Sequence, residues 1–229
     1  MEKQLQDQLS LCEQRASQSL QAPVFEKFEI PDADILLCQD FYPPAESACF
    51  FLRLLDEVRW QQDRMALYGR AIELPRLTAW YGDRGCTYSY AHIAMQPHPW
   101  TALLLEIKRK VDNAVGAQFN SVLLNLYRSG NDSVSWHQDN EPELGSHPII
   151  ASVSFGATRV FQLRHRHNRV LPRLDIPLAT GSLLIMRGAT QQHWQHQIPK
   201  TKRAVARRIN LTFRLIQPQG SANTRVRSL

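Results

Sequence analysis

Acidic side chains almost disappear from the second half of this chain. Residues 144–229 hold 14 Lys/Arg and one acid, Asp175, a balance of +13; residues 1–143 hold 13 Lys/Arg against 20 Asp/Glu, a balance of −7. A half with one sign of charge excludes an evenly screened surface. Segregation of this kind is the footprint of a polyanionic partner, most commonly nucleic acid, and a basic face kept for solubility is the competing reading. Apolar runs are short as well. None approaches the roughly 20 residues that a membrane-crossing helix needs, so no membrane partner is expected. The four cysteines, Cys12, Cys38, Cys49 and Cys86, show neither C-x-x-C spacing nor a finger pattern, which excludes those zinc and redox motifs and leaves reduced packing thiols. The first residues lack a basic-then-apolar signal. Secretion is therefore not expected, and the protein is expected inside the cell, cytoplasmic in a bacterium or nuclear in a eukaryote. H-E-x-x-H is missing too, which argues against a zinc hydrolase.

What is present reads as one domain. At 229 residues and 43% hydrophobic composition, the chain can bury a sizeable core. Residues 1–25 read as an N-terminal arm with a hint of helical stripe at Leu5, Leu9 and Leu20, residues 26–217 as the domain, and residues 218–229 as a basic tail. Pro43-Pro44 precede apolar Phe51, Leu54, Leu55 and Val58 at helical spacing, so a helix starts there. A second helix is expected from about Thr101 to Val115, with Leu104, Ile107, Val111 and Val115 on one face and Gly116 as its stop. Beyond residue 118 the period becomes two: V-L-L-N-L-Y-R, P-I-I-A-S-V-S-F, R-V-F-Q-L-R, G-S-L-L-I-M and R-I-N-L-T-F-R-L-I read as short strands. The expected fold is mainly β with flanking helices, a sandwich or barrel under a helical N-terminal layer.

Two spacings carry chemistry. In an extended segment, residues i and i+2 point the same way, so His137 and Asp139 of W-H-Q-D aim at one point. A histidine from a distant segment, His193 or His196 of H-W-Q-H, would complete a two-histidine, one-carboxylate set, and spacing alone does not choose between them. Such a set occupies one face of an octahedral metal and is typical of non-haem Fe(II) oxygenases. Arg208, Asn210, Thr212 and Arg214 share one face of a strand whose other face is Ile209, Leu211, Phe213 and Leu215. If the apolar face is core, the polar face lines a cavity, and buried arginines there require an anion. Asn125 and Tyr127 repeat the device. The natural guest is a small dicarboxylate held by guanidinium forks.

The stretches N-L-Y-R-S-G-N-D-S-V-S-W-H-Q-D-N-E, S-V-S-F-G-A-T-R-V-F, H-W-Q-H-Q-I-P and R-I-N-L-T-F-R together resemble the AlkB family of Fe(II)/2-oxoglutarate dioxygenases. P-R-L-T-A-W-Y-G at 75–82 and T-Y-S-Y at 87–90 resemble its nucleic-acid-repairing members in particular, and the resemblance spans roughly residues 65–216. It implies a double-stranded β-helix (jelly roll) with a nucleotide-recognition region at about 60–100 and a core at about 118–217. It also implies Fe(II) on His137, Asp139 and His196, with 2-oxoglutarate and O2 as co-substrates. By resemblance Asn125, Tyr127, Arg208, Asn210 and Arg214 contact 2-oxoglutarate, Arg208 at its distal carboxylate and Arg214 near the iron-bound one. Tyr88 and Tyr90 shape a base pocket, Glu141 reads a cationic alkylated base, and Tyr68 lies in a loop that fills the gap left by a flipped base. The implied activity is oxidative dealkylation of 1-methyladenine and 3-methylcytosine in single- or double-stranded DNA, with RNA as a further substrate, by a monomer. Asn140 and the R-H-R-H-N-R run at 164–169 depart from family patterns and bear on substrate preference. A 2-oxoglutarate hydroxylase acting on protein, and a binding module without chemistry, are the rival readings.

Overall fold

The computed structural model describes residues 22–217 except 68, 69, 87, 91 and 92. Strands β1 (Glu26–Phe28) and β2 (Asp34–Cys38) come first. Helix α1 (Pro44–Glu57) follows, opened by Pro44 at a position where a missing N–H costs nothing. Next come β3 (Arg64–Leu67), β4 (Arg70–Glu73), β5 (Leu77–Gly82), β6 (Tyr88–Tyr90) and β7 (Ile93–Met95). Helix α2 (Ala102–Val115) is capped at both ends. The Thr101 hydroxyl accepts from the Leu104 N–H at 3.2 Å, and Gly116 takes the left-handed C-cap conformation at φ 71°. The remaining elements are mostly strands: β8 (Ser121–Tyr127), β9 (Val134–His137), β10 (Ile150–Gly156), β11 (Arg159–His165), β12 (Leu174–Leu178), β13 (Leu183–Arg187), β14 (Trp194–Ile198) and β15 (Arg208–Arg214), with a one-turn helix α3 (Thr190–His193) before β14.

The larger sheet has the order β1-β2-β13-β10-β15-β8-β5, and the smaller has β12-β11-β14-β9, with β3-β4 and β6-β7 as separate hairpins. The fold is mainly β with flanking helices, a jelly roll of two facing sheets. Two apolar clusters divide the molecule into three layers. Leu104, Ile107 and Val111 of α2 and Phe50 and Leu54 of α1 pack with Val122, Leu124, Ile209, Leu211 and Phe213 of the larger sheet. Ile35, Leu184 and Met186 of that sheet pack with Phe161, Leu163, Ile176, Trp194 and Ile198 of the smaller one. Alternation therefore sends Ile209, Leu211 and Phe213 toward the helices, and turns Arg208, Asn210 and Thr212 toward the space between the sheets. Among the described residues, no helix is long and apolar enough to cross a membrane.

The N-terminal layer differs from expectation. It is not wholly helical: β2 inserts beside β13, pairing Ile35 with Met186 and Leu37 with Leu184, and β5 closes the other edge against β8. Five residues, D-I-L-L-C, are too few to reveal a period, so burial by neighbours alone decides that this segment is strand. The stripe at Leu5, Leu9 and Leu20 and the tail at 218–229 lie outside the described residues.

Candidate metal and co-substrate site

A cavity opens between the sheets, with about 530 Å³ of space once its solvent-open mouth is included. His137 ends β9 and faces His196 of β14 as its register partner. Their ring centroids are 4.2 Å apart. Asp139 follows in the loop after β9, and one potential ligand atom from each of the three lies within 4.8 Å of the others. His137 Nδ1 is 2.8 Å from the Ser135 carbonyl oxygen. A carbonyl only accepts, so Nδ1 carries the proton and Nε2 keeps its lone pair. Phe161 stacks on the His196 ring at 5.0 Å, and burial, then the neighbouring His137, drives the pKa of His196 down to about 3. Burial would raise the Asp139 carboxyl, but Arg214 and then the two histidines outweigh it and hold the group below the usual carboxylate range. A neutral imidazole at His196, a free Nε2 at His137 and a carboxylate at Asp139 are what a divalent metal requires of its ligands. His196 Nδ1 is itself buried with no hydrogen-bond partner. The donor set fits the iron that the resemblance implies.

Arg208 is 1% exposed. Its Nη2 donates to Ser154 Oγ and Asn210 Oδ1, each at 2.9 Å, and the guanidinium lies 5.1 Å from the Tyr127 ring centroid. None of these neighbours is an anion, and Arg208 Nε and Nη1 are buried without partners. Burial lowers its pKa to about 10, so it remains a cation at neutral pH. An unpaired buried cation with two idle donors fits a carboxylate guest. Arg214 is placed otherwise: its Nη2 donates to Asp139 Oδ1 at 2.6 Å, so it holds the acidic member of the triad directly. Asn210 Oδ1 also accepts from Ser152 Oγ at 2.9 Å and its Nδ2 donates to Thr212 Oγ1 at 2.8 Å. Asn125 and Tyr127 both line the cavity.

A second cluster, Asp32, His165 and His193, also brings ligand atoms within 4.8 Å. Its hydrogen bonding argues against a metal. His165 Nδ1 accepts backbone N–H groups from His167 at 3.2 Å and Asn168 at 2.7 Å. The ring proton is therefore on Nε2, which donates to Asp32 Oδ2 at 3.3 Å, so neither nitrogen is free to ligate. His193 stacks on His165 at 5.8 Å, away from the cavity that His196 lines.

Glu141 opens the short turn Pro142–Leu144 and is not among the described residues lining the cavity. Tyr68 lies outside the described residues; Tyr88 and Tyr90 are placed by backbone on β6, and their side chains lie outside the description. Sequence reasoning missed Arg76, which lines the cavity and donates from Nε to Asn125 Oδ1 at 2.7 Å. It precedes β5 with no periodic signal. Ser152 and Ser154 were missed as well, although S-V-S in an apolar strand shows the same i, i+2 device.

A family model described as the 2OG-Fe(II) oxygenase superfamily matches residues 34–214. The chain is 44% identical over 192 residues to the Bos taurus alpha-ketoglutarate-dependent dioxygenase alkB homolog 3, covering 80% of this chain and 66% of that protein. It is 40% identical over 183 residues to the Mus musculus DNA oxidative demethylase ALKBH2, covering 76% of this chain and 77% of that one. This chain thus spans just under two-thirds of the bovine protein. A solved structure of OsALKBH1 superposes with a TM-score of 0.61 at 16% identity, covering 84% of this chain and 100% of that one; at that identity the likeness shows the fold alone.

Proposed function

Because the chain belongs to the 2OG-Fe(II) oxygenase superfamily, we propose that it is an Fe(II)/2-oxoglutarate-dependent dioxygenase that strips N-alkyl groups from damaged nucleic acid bases. The observation that carries this reading is a single cavity holding both halves of the chemistry. The histidine–aspartate–histidine cluster lines it with Asn125, Tyr127 and Asn210, and the buried, anion-less Arg208 donates to Asn210 and lies against the Tyr127 ring. His137, Asp139 and His196 would hold the metal, and Arg208 would take the distal carboxylate of 2-oxoglutarate through its idle Nε and Nη1. When bound, the metal and its co-substrates supply the oxidation: the N-methyl group of the cationic base, O2 and 2-oxoglutarate become formaldehyde, succinate, CO2, the unmethylated base and a proton.

The chain's own residues set the conditions for that step. Arg214 keeps Asp139 ionised and fixes one carboxylate oxygen, leaving the other for the metal. Ser135 fixes the His137 tautomer. Phe161 and Met186 keep the inner wall apolar, which strengthens the interaction of Arg208 with its anion.

Nucleic acid is the substrate class that the surface supports. Arg164, Arg166 and Arg169 are exposed on and beyond β11, and Lys200, Lys202 and Arg203 are exposed in the loop after β14. Arg164 lies 4.2 Å from the ring centroid of Trp136, on the face of β9 opposite His137. The murine relative called a DNA oxidative demethylase agrees with this class. The test is formaldehyde release from matched single- and double-stranded oligonucleotides bearing 1-methyladenine or 3-methylcytosine. Release that needs Fe(II) and 2-oxoglutarate, and is lost in His137→Ala, is expected; normal turnover by His137→Ala would overturn the metal assignment.

A further inference from the structure

Of the three residues in the triad, Asp139 is the least supported by the sheets. His137 and His196 sit on paired strands, whereas Asp139 lies in the irregular loop beyond β9. Its backbone N–H is buried and needs an acceptor. That acceptor is the side chain of Gln191, whose Oε1 lies 3.0 Å away, 52 residues along the chain. Gln191 is 1% exposed, so water does not substitute for this bond. Its own Nε2 donates to the Met186 sulfur at 3.4 Å, which fixes which end of the amide faces Asp139. The preceding residue returns the clamp: Gln138 Nε2 donates to the Gln191 and Gln192 carbonyl oxygens at 2.8 and 3.2 Å. Gln191 stands in α3, the single turn that leads directly into the strand bearing His196.

We propose that Gln191 is a positioning residue for the metal site, tying the loop that carries Asp139 to the turn that leads into the strand of His196 and so setting the span of the triad. The proposal rests on the triad being the metal site. Arg214 fixes the Asp139 carboxylate from one side, and Gln191 fixes its backbone from the other. Removing such outer supports typically weakens metal binding by about 10–100-fold.

The experiment is Co(II) binding by the full chain, followed by titration calorimetry and by the visible absorption of the bound ion, with no substrate or turnover. Gln191→Met keeps the shape and loses the acceptor. It is expected to bind Co(II) at least about tenfold more weakly, and to show altered Co(II) bands at saturation. Gln191→Glu keeps an acceptor oxygen at the same reach and is expected to restore the wild-type bands. If Gln191→Met does not fold, Gln138→Met, which breaks only the returning bonds, is expected to weaken Co(II) binding in the same direction. Wild-type affinity and bands in Gln191→Met, or in Gln138→Met where that stands in for it, would overturn the positioning role. Altered bands in Gln191→Glu equal to those of Gln191→Met would also overturn it. Failure of the site itself looks different: wild-type protein that does not bind Co(II), or His137→Ala that binds it normally, sinks the metal assignment.

Discussion

Arg208→Met should leave the ligand-free protein at least as stable as the wild type and abolish its response to 2-oxoglutarate. Burial lowers the Arg208 pKa from 12.5 to about 10. At roughly 1.4 kcal/mol per unit, that is a charge-burial cost of about 3 kcal/mol. The sign follows from the direction. The folded pKa lies below the unfolded one, so the cost is fully present at pH 7 and is relieved only as the pH rises through about 10. Methionine of similar length removes that cost and forfeits the donations to Ser154 and Asn210, about 1 kcal/mol each. The balance is near +1 kcal/mol, in line with buried ions whose replacement by apolar residues is neutral or stabilising. For a chain of this size that is a rise of about 2–4 °C in Tm. Wild-type protein with Mn(II) and 2-oxoglutarate at 100-fold above Kd, kept free of O2, should gain about 2.7 kcal/mol, or roughly 5–10 °C. The variant should gain nothing. The assay is paired thermal melts, each protein with and without 2-oxoglutarate. A variant that keeps the wild-type upshift would refute the carboxylate-binding role, and one that melts many degrees lower without ligand would refute the cost assigned to the buried charge.

Asp132 is 5% exposed and takes a two-pronged contact from Arg128, at 2.8 Å from Nε and 3.0 Å from Nη2. Burial works against its ionised form, but Arg128 prevails and holds the carboxyl below its ordinary value of 3.8. A depressed acid stabilises above its unfolded pKa and loses that contribution as the pH falls through the folded one. Asp132→Asn should therefore cost about 1–3 kcal/mol in urea unfolding at pH 7, with the gap to wild type closing as the pH drops below 3.8. Affinity for a single-stranded oligonucleotide should fall steeply with salt, and Arg164→Ala with Arg166→Ala should flatten the log–log slope by about 1–2. A slope indifferent to salt would mean that the basic half meets something other than phosphate.

Local alternation was legible wherever one strand carried both of its environments. R-I-N-L-T-F-R shows apolar and polar faces without any neighbour, and in the structure Ile209, Leu211 and Phe213 do turn to the helices while Asn210, Thr212 and Arg214 line the cavity. Capping chemistry at Pro44, Thr101 and Gly116 marked both long helices in the same way. β2 was not legible, because five residues are too few to show a period and its place beside β13 depends on partners about 150 residues away. Arg76 and Gln191 were not legible either: they act through long-range hydrogen bonds, Arg76 to Asn125 and Ser133 and Gln191 to Asp139, and nothing in adjacent residues records such bonds.

For the metal cluster the division is sharper. The i, i+2 spacing by itself pointed His137 and Asp139 to one place, but β9 ends at His137, so the loop held by Gln191 and Arg214 rather than the pleat delivers Asp139. Residue spacing left His193 and His196 equal, because both lie in one four-residue run. The tertiary structure separates them through the pairing of β14 with β9, which sets His196 opposite His137, while the turn of α3 sends His193 to His165 and Asp32. Which histidine faces the cavity depends on strand register, and register is a property of two segments that meet only in the folded chain.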